Sequence, residues 1–410
     1  LSTWMMMAAE GPYIAAFIGR LPDVKENLAA YGIAYSVGLL VESPIIMLMS
    51  ASTAFVKSEN SYKGLRNFTF FLIAALTLLI LIILIPPIFD LIFDHLLKIN
   101  QRILVILYPS LAGLIPWSAA IGYRRFYQGI IIKHGRTKHV AYGTVVRLCM
   151  IIVMPIVIAK FTDLEGAVIG TVSLSIAVVM EAIVTRFFAS RAVKSVCVIK
   201  VDEDVKYKEI ASFYFPMAIT PFIALSVPPM TTFFLLKGSN PTESVAVMPV
   251  LNSLTFIFRA VGLSFQEVAI ALMDKDYKNY LKIRNFIRGL IIFNLVGYGV
   301  ISYTPLANFY FEILSGLTRE LTDLAKIPAR ILTFIPPLTA LLAFQRSIIV
   351  RSGNTIPMTV ATTIEVIIAF VILFTIPLLP ISGVIIASLA LLIGRIGGNL
   401  YLHYVIKKIL

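Results

Sequence analysis

Twelve ionisable residues stand within long apolar runs of the sequence: Glu10, Glu42, Arg124, Arg125, Arg147, Glu181, Arg259, Glu267, Arg288, Arg346, Glu365 and Arg395. A charge at the centre of a bilayer costs about 2.5–3.5 kcal/mol on insertion scales, so residues kept there are the first candidates for handling an ion, a proton or a charged substrate. Arg124, Arg125, Arg288 and Arg395 stand where a long side chain could snorkel to an interface, and Glu267 is near the inner end of its run. Chemistry of other kinds has little to stand on. The sequence has no Walker A loop, HExxH, CxxC or GxSxG. His95, His134, His139 and His403 are too scattered for a metal site, and Cys149 and Cys197 support neither a disulfide framework nor a thiolate centre. No enzyme, metal or cofactor is expected, and any work must draw on an ion gradient or on the gradient of a substrate.

The elements that must position these residues are membrane spans. Of the 410 residues 59% are hydrophobic and 14% charged, with a mean hydropathy of +0.90; soluble domains have roughly 45–50% and about 25%. Runs long enough to cross a bilayer occur at 1–18, 28–56, 67–97, 103–132, 139–159, 165–189, 209–236, 243–272, 285–304, 329–350, 355–378 and 382–406, twelve in all. The net charge of +13 is not read as nucleic-acid binding. Nineteen Lys and Arg fall in one alternating set of loops against nine in the other, the bias that marks cytoplasmic loops. Both termini are expected in the cytoplasm, and the chain in a bacterial or archaeal plasma membrane.

The chain repeats itself. Asn27-Leu28-Ala29-Ala30 lies opposite Ser244-Val245-Ala246-Val247 at a shift of 217, Lys133-His134-Gly135-Arg136-Thr137 opposite Arg351-Ser352-Gly353-Asn354-Thr355 at 218, and Gly166-Ala167-Val168-Ile169 opposite Gly383-Val384-Ile385-Ile386 at 217. Six spans separate the copies, so both halves enter the membrane in the same direction and their pseudo-twofold axis runs along the membrane normal. The expectation is an all-α protein of two six-helix lobes, 1–189 and 209–410, joined by a cytoplasmic linker at 190–208. Leu1 aligns with Ala218, which leaves the start of span seven without a counterpart; roughly ten or more natural residues are expected before Leu1.

The repeat also pairs charges. Glu42 and Arg259 differ by 217 and Arg147 and Glu365 by 218, each pair opposite in sign. Asn252, Thr255, Arg259, Gly262 and Gln266 recur at helical spacing on one stripe of span eight, and Tyr35, Gly38, Glu42, Ile45 and Met49 form the matching stripe of span two. Two explanations stand for the Glu42 and Arg259 positions: cavity lining, or a buried ion pair tying two bundles together. Gly11-Pro12, Pro216, Pro221, Pro228-Pro229 and Pro336-Pro337 weaken their helices, spans one and seven most, and a discontinuous span points to a binding site. Glu10, directly before Gly11-Pro12, is either a proton or cation site or a carboxyl bonded in packing.

The junction Phe17-Ile18-Gly19-Arg20-Leu21 followed by Leu28-Ala29-Ala30-Tyr31-Gly32, with the duplicated six-span layout, resembles the multidrug/oligosaccharidyl-lipid/polysaccharide (MOP) exporter superfamily, and within it the multidrug and toxic compound extrusion (MATE) proteins. Leu28–Ser36, Gly129–His134 and Thr242–Val247 are also similar to the progressive ankylosis proteins, relatives that export small anions. The resemblance covers nearly the whole chain. It implies alternating access, with the lobes rocking about a central cavity lined by spans one, two, seven and eight, and coupling carboxylates on span one or in the C-terminal lobe, which would be Glu10 and Glu365. It also implies arginines in the cavity of lipid-linked flippases; Arg259 fits that pattern, whereas span two offers Glu42.

The expected function is therefore export of amphipathic organic molecules, coupled to an Na+ or H+ gradient through Glu10, Glu42, Glu181 or Glu365, with Arg147 and Arg259 holding nearby carboxylates charged. The site is expected to include Asn252 and Gln266 as well. The alternative is a flippase for a lipid-linked glycan or an exporter of phosphorylated or organic anions, using Arg259, Arg124 and Arg346. The expected partners are a small amphipathic substrate and membrane lipid, with the protein a monomer.

Overall fold

The computed structural model describes residues 2–199, 207–273, 279–352 and 355–408; the side chains of Pro216, Glu267 and Arg351 also lie outside the described set. Its elements are helical apart from an isolated bridge between Ser239 and Ser382. We number the principal helices α1 (Ser2–Ile18), α2 (Val24–Glu42, resuming at Leu48–Phe55), α3 (Glu59–Ile83), α4 (Gln101–Gly113 and Ile115–Lys133), α5 (Thr137–Phe161) and α6 (Gly166–Cys197). The second series is α7 (Tyr207–Leu225 and Val227–Leu235), α8 (Pro241–Leu272), α9 (Tyr280–Tyr303), α10 (Arg319–Leu332 and Ile335–Ser352), α11 (Ile356–Leu373) and α12 (Gly383–Ile406). Eleven of them are long and apolar enough to cross a membrane, and α1 is apolar but shorter, over Met5–Ile18. The chain is an integral membrane protein.

Several boundaries differ from those read in the sequence. The third span ends at Ile83, because Pro86 and Pro87 lack the N–H groups a helix needs; the remainder folds into a short turn at Pro86–Phe89 and a π-helical turn at Asp90–Leu96. α6 runs on to Cys197, so the first eight residues of the expected linker 190–208 are helical, and 200–206 lie outside the described residues. α7 breaks at Ser226, just before Pro228. α1 does not break: Pro12 sits inside a continuous helix, since its missing N–H frees only the carbonyl of Ala8. Two breaks went unforeseen, in α2 at Ser43-Pro44 and in α4 at Leu114, ahead of Pro116.

The repeat is written into the backbone. Asp23 and Asn240, 217 apart, both take a φ of 51°, and Lys98 and Gly316, 218 apart, take 53° and 74°. The π-helical turn at Asp90–Leu96 recurs at Phe309–Leu314. Ile99 N donates to Phe93 O at 3.0 Å as Leu317 N does to Phe311 O at 2.9 Å, and the two phenyl rings are fully buried. Asn100 and Thr318 then cap the next helix in each copy.

Packing divides the chain along other lines. A C unit comprises Leu1–Gly32 and Met230–Leu410, and an N unit comprises Ile33–Pro229. Within the C unit α1 and the start of α2 lie on α8, where a Cβ on Gly11 of α1 would stand 2.8 Å from Ser253 Oγ and one on Gly32 of α2 3.0 Å from Pro249 Cγ. The Phe17–Leu21 motif has a structural task there. Arg20 Nη2 donates to the carbonyls of Ile313 and Leu314 at 2.8 and 2.9 Å, and Gly19 lies so close to Ser315 and Gly316 that no side chain fits between them. The first half of α7 belongs to the N unit, where Tyr214 donates its hydroxyl to Pro44 O. The repeat halves are thus a relation of sequence, and the compact units a relation of packing.

Glycines set the approach of the helices that carry charge. A Cβ on Gly394 of α12 would come within 2.6 Å of Glu365 O on α11, and one on Gly398 within 3.2 Å of Ala361 O, the close approach that small residues permit in membranes. In the N unit Gly143 of α5 faces Thr185 and Glu181 of α6 at 3.3 and 3.4 Å. Replacing Gly394 with Ala sets a methyl group against a backbone carbonyl that cannot rotate away. We expect it to cost about 1–3 kcal/mol of stability, read as a lower Tm in detergent; an unchanged Tm would mean that α12 shifts freely.

Candidate functional site

Each unit holds one buried group of charged side chains. In the N unit Glu181, fully buried on α6, accepts from Arg124 Nη1 of α4 through Oε2 and from Gln128 Nε2 at 3.2 Å through Oε1, while Arg147 Nη1 of α5 stands 3.6 Å from Oε2. Glu42 ends the first part of α2, where the chain breaks at Ser43-Pro44. It is buried, its Oε2 accepts no hydrogen bond, and Arg125, Arg124 and Arg147 are its electrostatic neighbours. Three guanidinium groups here face two carboxylates.

In the C unit Arg395 of α12 holds Glu365 of α11, Nε and Nη2 both lying 2.8 Å from Oε1, and its Nη1 donates to Thr339 Oγ1 of α10 at 3.3 Å. Arg346 Nη2 donates to Thr362 Oγ1 at 3.0 Å. Both threonines already spend their protons on backbone carbonyls, Thr339 on Ile335 O and Thr362 on Met358 O, so they can only accept. Arg259 of α8 lies in the field of Arg395, Glu365 and Arg346, and among the described residues its guanidinium has no hydrogen bond or ion pair; Nε of Arg259 and of Arg346 are buried without a partner. Three guanidinium groups here face one carboxylate. Asn399 Oδ1 and Gln345 Oε1, on the helices of Arg395 and Arg346, are buried acceptors without a partner; it is the excess of guanidinium groups over carboxylates that complements an anion.

The two groups occupy equivalent places in the repeat. Glu42 matches Arg259, Arg147 matches Glu365, Gln128 matches Arg346 and Glu181 matches Asn399. The ion pair between neighbouring helices runs from Arg147 to Glu181 in one unit and from Glu365 to Arg395 in the other, with its polarity reversed. Of the residues singled out in the sequence, Glu42, Arg147 and Glu181 come together in the N unit, and Arg259 and Glu365 in the C unit. Glu10 is buried on α1 next to the contact of Gly11 with Ser253. Asn252 is exposed and Gln266 half-buried, and among the described residues neither hydrogen-bonds to the charged group. The stripe they belong to turns into its own unit, Thr255 Oγ1 meeting Tyr298 OH at 3.1 Å and Gly262 lying against Ala340.

Arg124 and Arg395 do not snorkel; both are inside, paired with carboxylates. They and Arg346 complete the groups. The repeat gave a signal for Arg346 alone, opposite Gln128; Arg124 and Arg395 fall opposite Leu342 and Ala177. No cluster of His, Cys, Asp or Glu among the described residues could hold a metal ion.

The described helices form a duplicated series of six and six with charge buried at matched places. The chain is similar to an inward-facing multidrug resistance MATE family transporter of the MOP superfamily, with 15% identity over 99% of this chain and 95% of that one and a TM-score of 0.70. It is similar to the lipid II flippase MurJ in an inward closed conformation, with 16% identity over 98% and 85% and a TM-score of 0.71. It is also similar to a MOP superfamily transporter from Pyrococcus furiosus described as having a binding pocket of reversed polarity, with 14% identity over 98% and 95% and a TM-score of 0.60. No protein-family model matches the sequence, and no curated protein matches it significantly. The chain shares the fold of these three structures.

Proposed function

We propose that the protein is a MOP-type secondary transporter exporting amphipathic organic molecules that carry an anionic group, by alternating access driven by an Na+ or H+ gradient. The observation that carries this reading is Arg259, a guanidinium without a hydrogen bond or ion pair among the described residues, in the field of Arg346 and Arg395 and of the single carboxylate Glu365, which Arg395 holds. A cationic drug would meet repulsion there. Of the four carboxylates expected to exchange a cation, Glu181 and Glu365 are held by arginines and Glu42 is surrounded by three of them, which leaves Glu10, buried on α1, as the candidate outside both charged groups. The fold does not dictate substrate charge: similar structures include a multidrug transporter, a lipid II flippase and a protein whose pocket polarity is described as reversed.

The test is efflux of a phosphorylated organic anion and of a cationic dye, side by side, from proteoliposomes under imposed Na+ or H+ gradients. The anion is expected to move in a gradient-dependent way and the dye to stay. Dye movement without anion movement overturns the assignment in favour of multidrug antiport.

A further inference from the structure

One end of the N unit is a basic platform that the transport reading does not use. Backbone and side-chain bonds join three chain segments there. Lys133 Nζ donates to Val56 O at the end of α2, Glu59 N at the start of α3 donates to Ile199 O beyond α6, and His134 Nε2 stands 3.1 Å from Ser195 Oγ. The joined stretches 56–66, 133–142 and 186–199 carry nine Lys and Arg against one acidic residue, Glu59, which Lys63 already holds at 2.7 Å. Arg136, Lys138, Arg191 and Lys194 point outward, exposed, and among the described residues none makes a side-chain hydrogen bond or ion pair. Aromatic rings border them: His139 packs edge-on to Phe188 at 4.9 Å, Tyr142 lies 6.2 Å from Phe188, and Tyr142 and Phe187 are 55% and 74% exposed. Amphipathic rings of this kind settle at headgroup level.

The loop 273–284 of the C unit carries Lys275, Lys278, Lys282 and Arg284 together with Asp274 and Asp276, so its charge is mixed. The equivalent turn of the C unit, 351–357, has Arg351 where 133–139 has Lys133, Arg136 and Lys138 together with two histidines. The platform's charge sits on a frame fixed by hydrogen bonds, beside interfacial aromatics. We propose that this platform binds the headgroups of anionic phospholipids of the cytoplasmic leaflet, to which the loop-charge bias assigns it. Juxtamembrane basic clusters attract such lipids through their surface potential.

The experiment is thermal unfolding of the purified full chain in neutral detergent, with added phosphatidylglycerol or phosphatidylcholine. Phosphatidylglycerol is expected to raise Tm by about 3–6 °C over phosphatidylcholine, and about 0.5 M NaCl to remove most of that difference. The variant Arg136→Gln/Lys138→Gln/Arg191→Gln/Lys194→Gln is expected to lose the difference while keeping its Tm in phosphatidylcholine, and the control Lys407→Gln/Lys408→Gln to retain it. Should the fourfold variant fail to fold, Arg136→Gln/Lys138→Gln and Arg191→Gln/Lys194→Gln are each expected to lose about half. The proposal is overturned if wild-type protein shows no preference for phosphatidylglycerol, if the platform variants keep the full shift, or if the control loses it equally. Inorganic phosphate producing the same shift would overturn the assignment to lipid.

Discussion

Replacing Arg259 with glutamine is expected to slow transport of a phosphorylated anion by roughly 30- to 1,000-fold while leaving Tm unchanged or slightly raised. The two halves of that expectation come from one fact. Among the described residues the Arg259 guanidinium has no hydrogen bond or ion pair and shares its surroundings with Arg346 and Arg395, so removing it relieves repulsion and breaks no internal bond. With an anion in place the same group supplies charge-assisted hydrogen bonds, and truncating one partner of such a pair costs about 2–5 kcal/mol. Arg259→Lys keeps the charge and loses the planar fork, so it should fall between the two. Initial rates in proteoliposomes, set beside melting curves of the same preparations, decide the matter. A variant that melts early and transports in proportion to what remains folded would make Arg259 a structural residue; one that transports at the wild-type rate would remove it from the site.

Much of this was legible in the sequence, and the residues show why. The repeat was visible at three junctions because loops that begin and end helices keep their turn chemistry, and the backbone confirms it at Asp23 and Asn240 and at Lys98 and Gly316. The opposite-charge matches of Glu42 with Arg259 and of Arg147 with Glu365 pointed to the two buried groups before any coordinates. What could not be read was the partner of each charge. Arg124 and Arg395 looked able to snorkel because sequence gives a residue's height along a helix and not what stands beside it. Only the approach of α4 to α6 and of α11 to α12 sets carboxylates against them.

The stripe at Asn252, Thr255, Arg259, Gly262 and Gln266 shows the same limit from another side. Periodicity identifies a polar stripe, but in a membrane, where lipid is as apolar as leucine, it does not say what the stripe faces. The coordinates turn Thr255 to Tyr298 and Gly262 to Ala340. Proline was an uneven guide for a related reason. Pro12 is accommodated by the first helix, whereas Pro44 and Pro116 accompany breaks, and the outcome rests on whether neighbouring groups take up the freed carbonyls.

The N unit should respond in the opposite sense to the C unit, and Glu181→Gln is the substitution that shows it. Glu181 is fully buried and is the shared acceptor for Arg124, Gln128 and Arg147. Neutralising it leaves three guanidinium groups, Arg124, Arg125 and Arg147, with only Glu42 nearby, and breaking a buried pair from one side typically costs about 3–5 kcal/mol; a fall in Tm of roughly 5–10 °C in detergent is expected. Removing both partners, as Arg124→Leu/Glu181→Leu, should recover at least half of that loss, because the desolvation of the pair disappears along with its attraction. Arg147 keeps Glu42 as its counter-charge in that background. A single variant that melts like wild type, or a double variant no better than the single, would show that the pair does not hold the N unit together. If the double variant folds, it should still transport, and Arg259→Gln should not: the Arg124–Glu181 pair of the N unit would then serve stability and Arg259 of the C unit the anion.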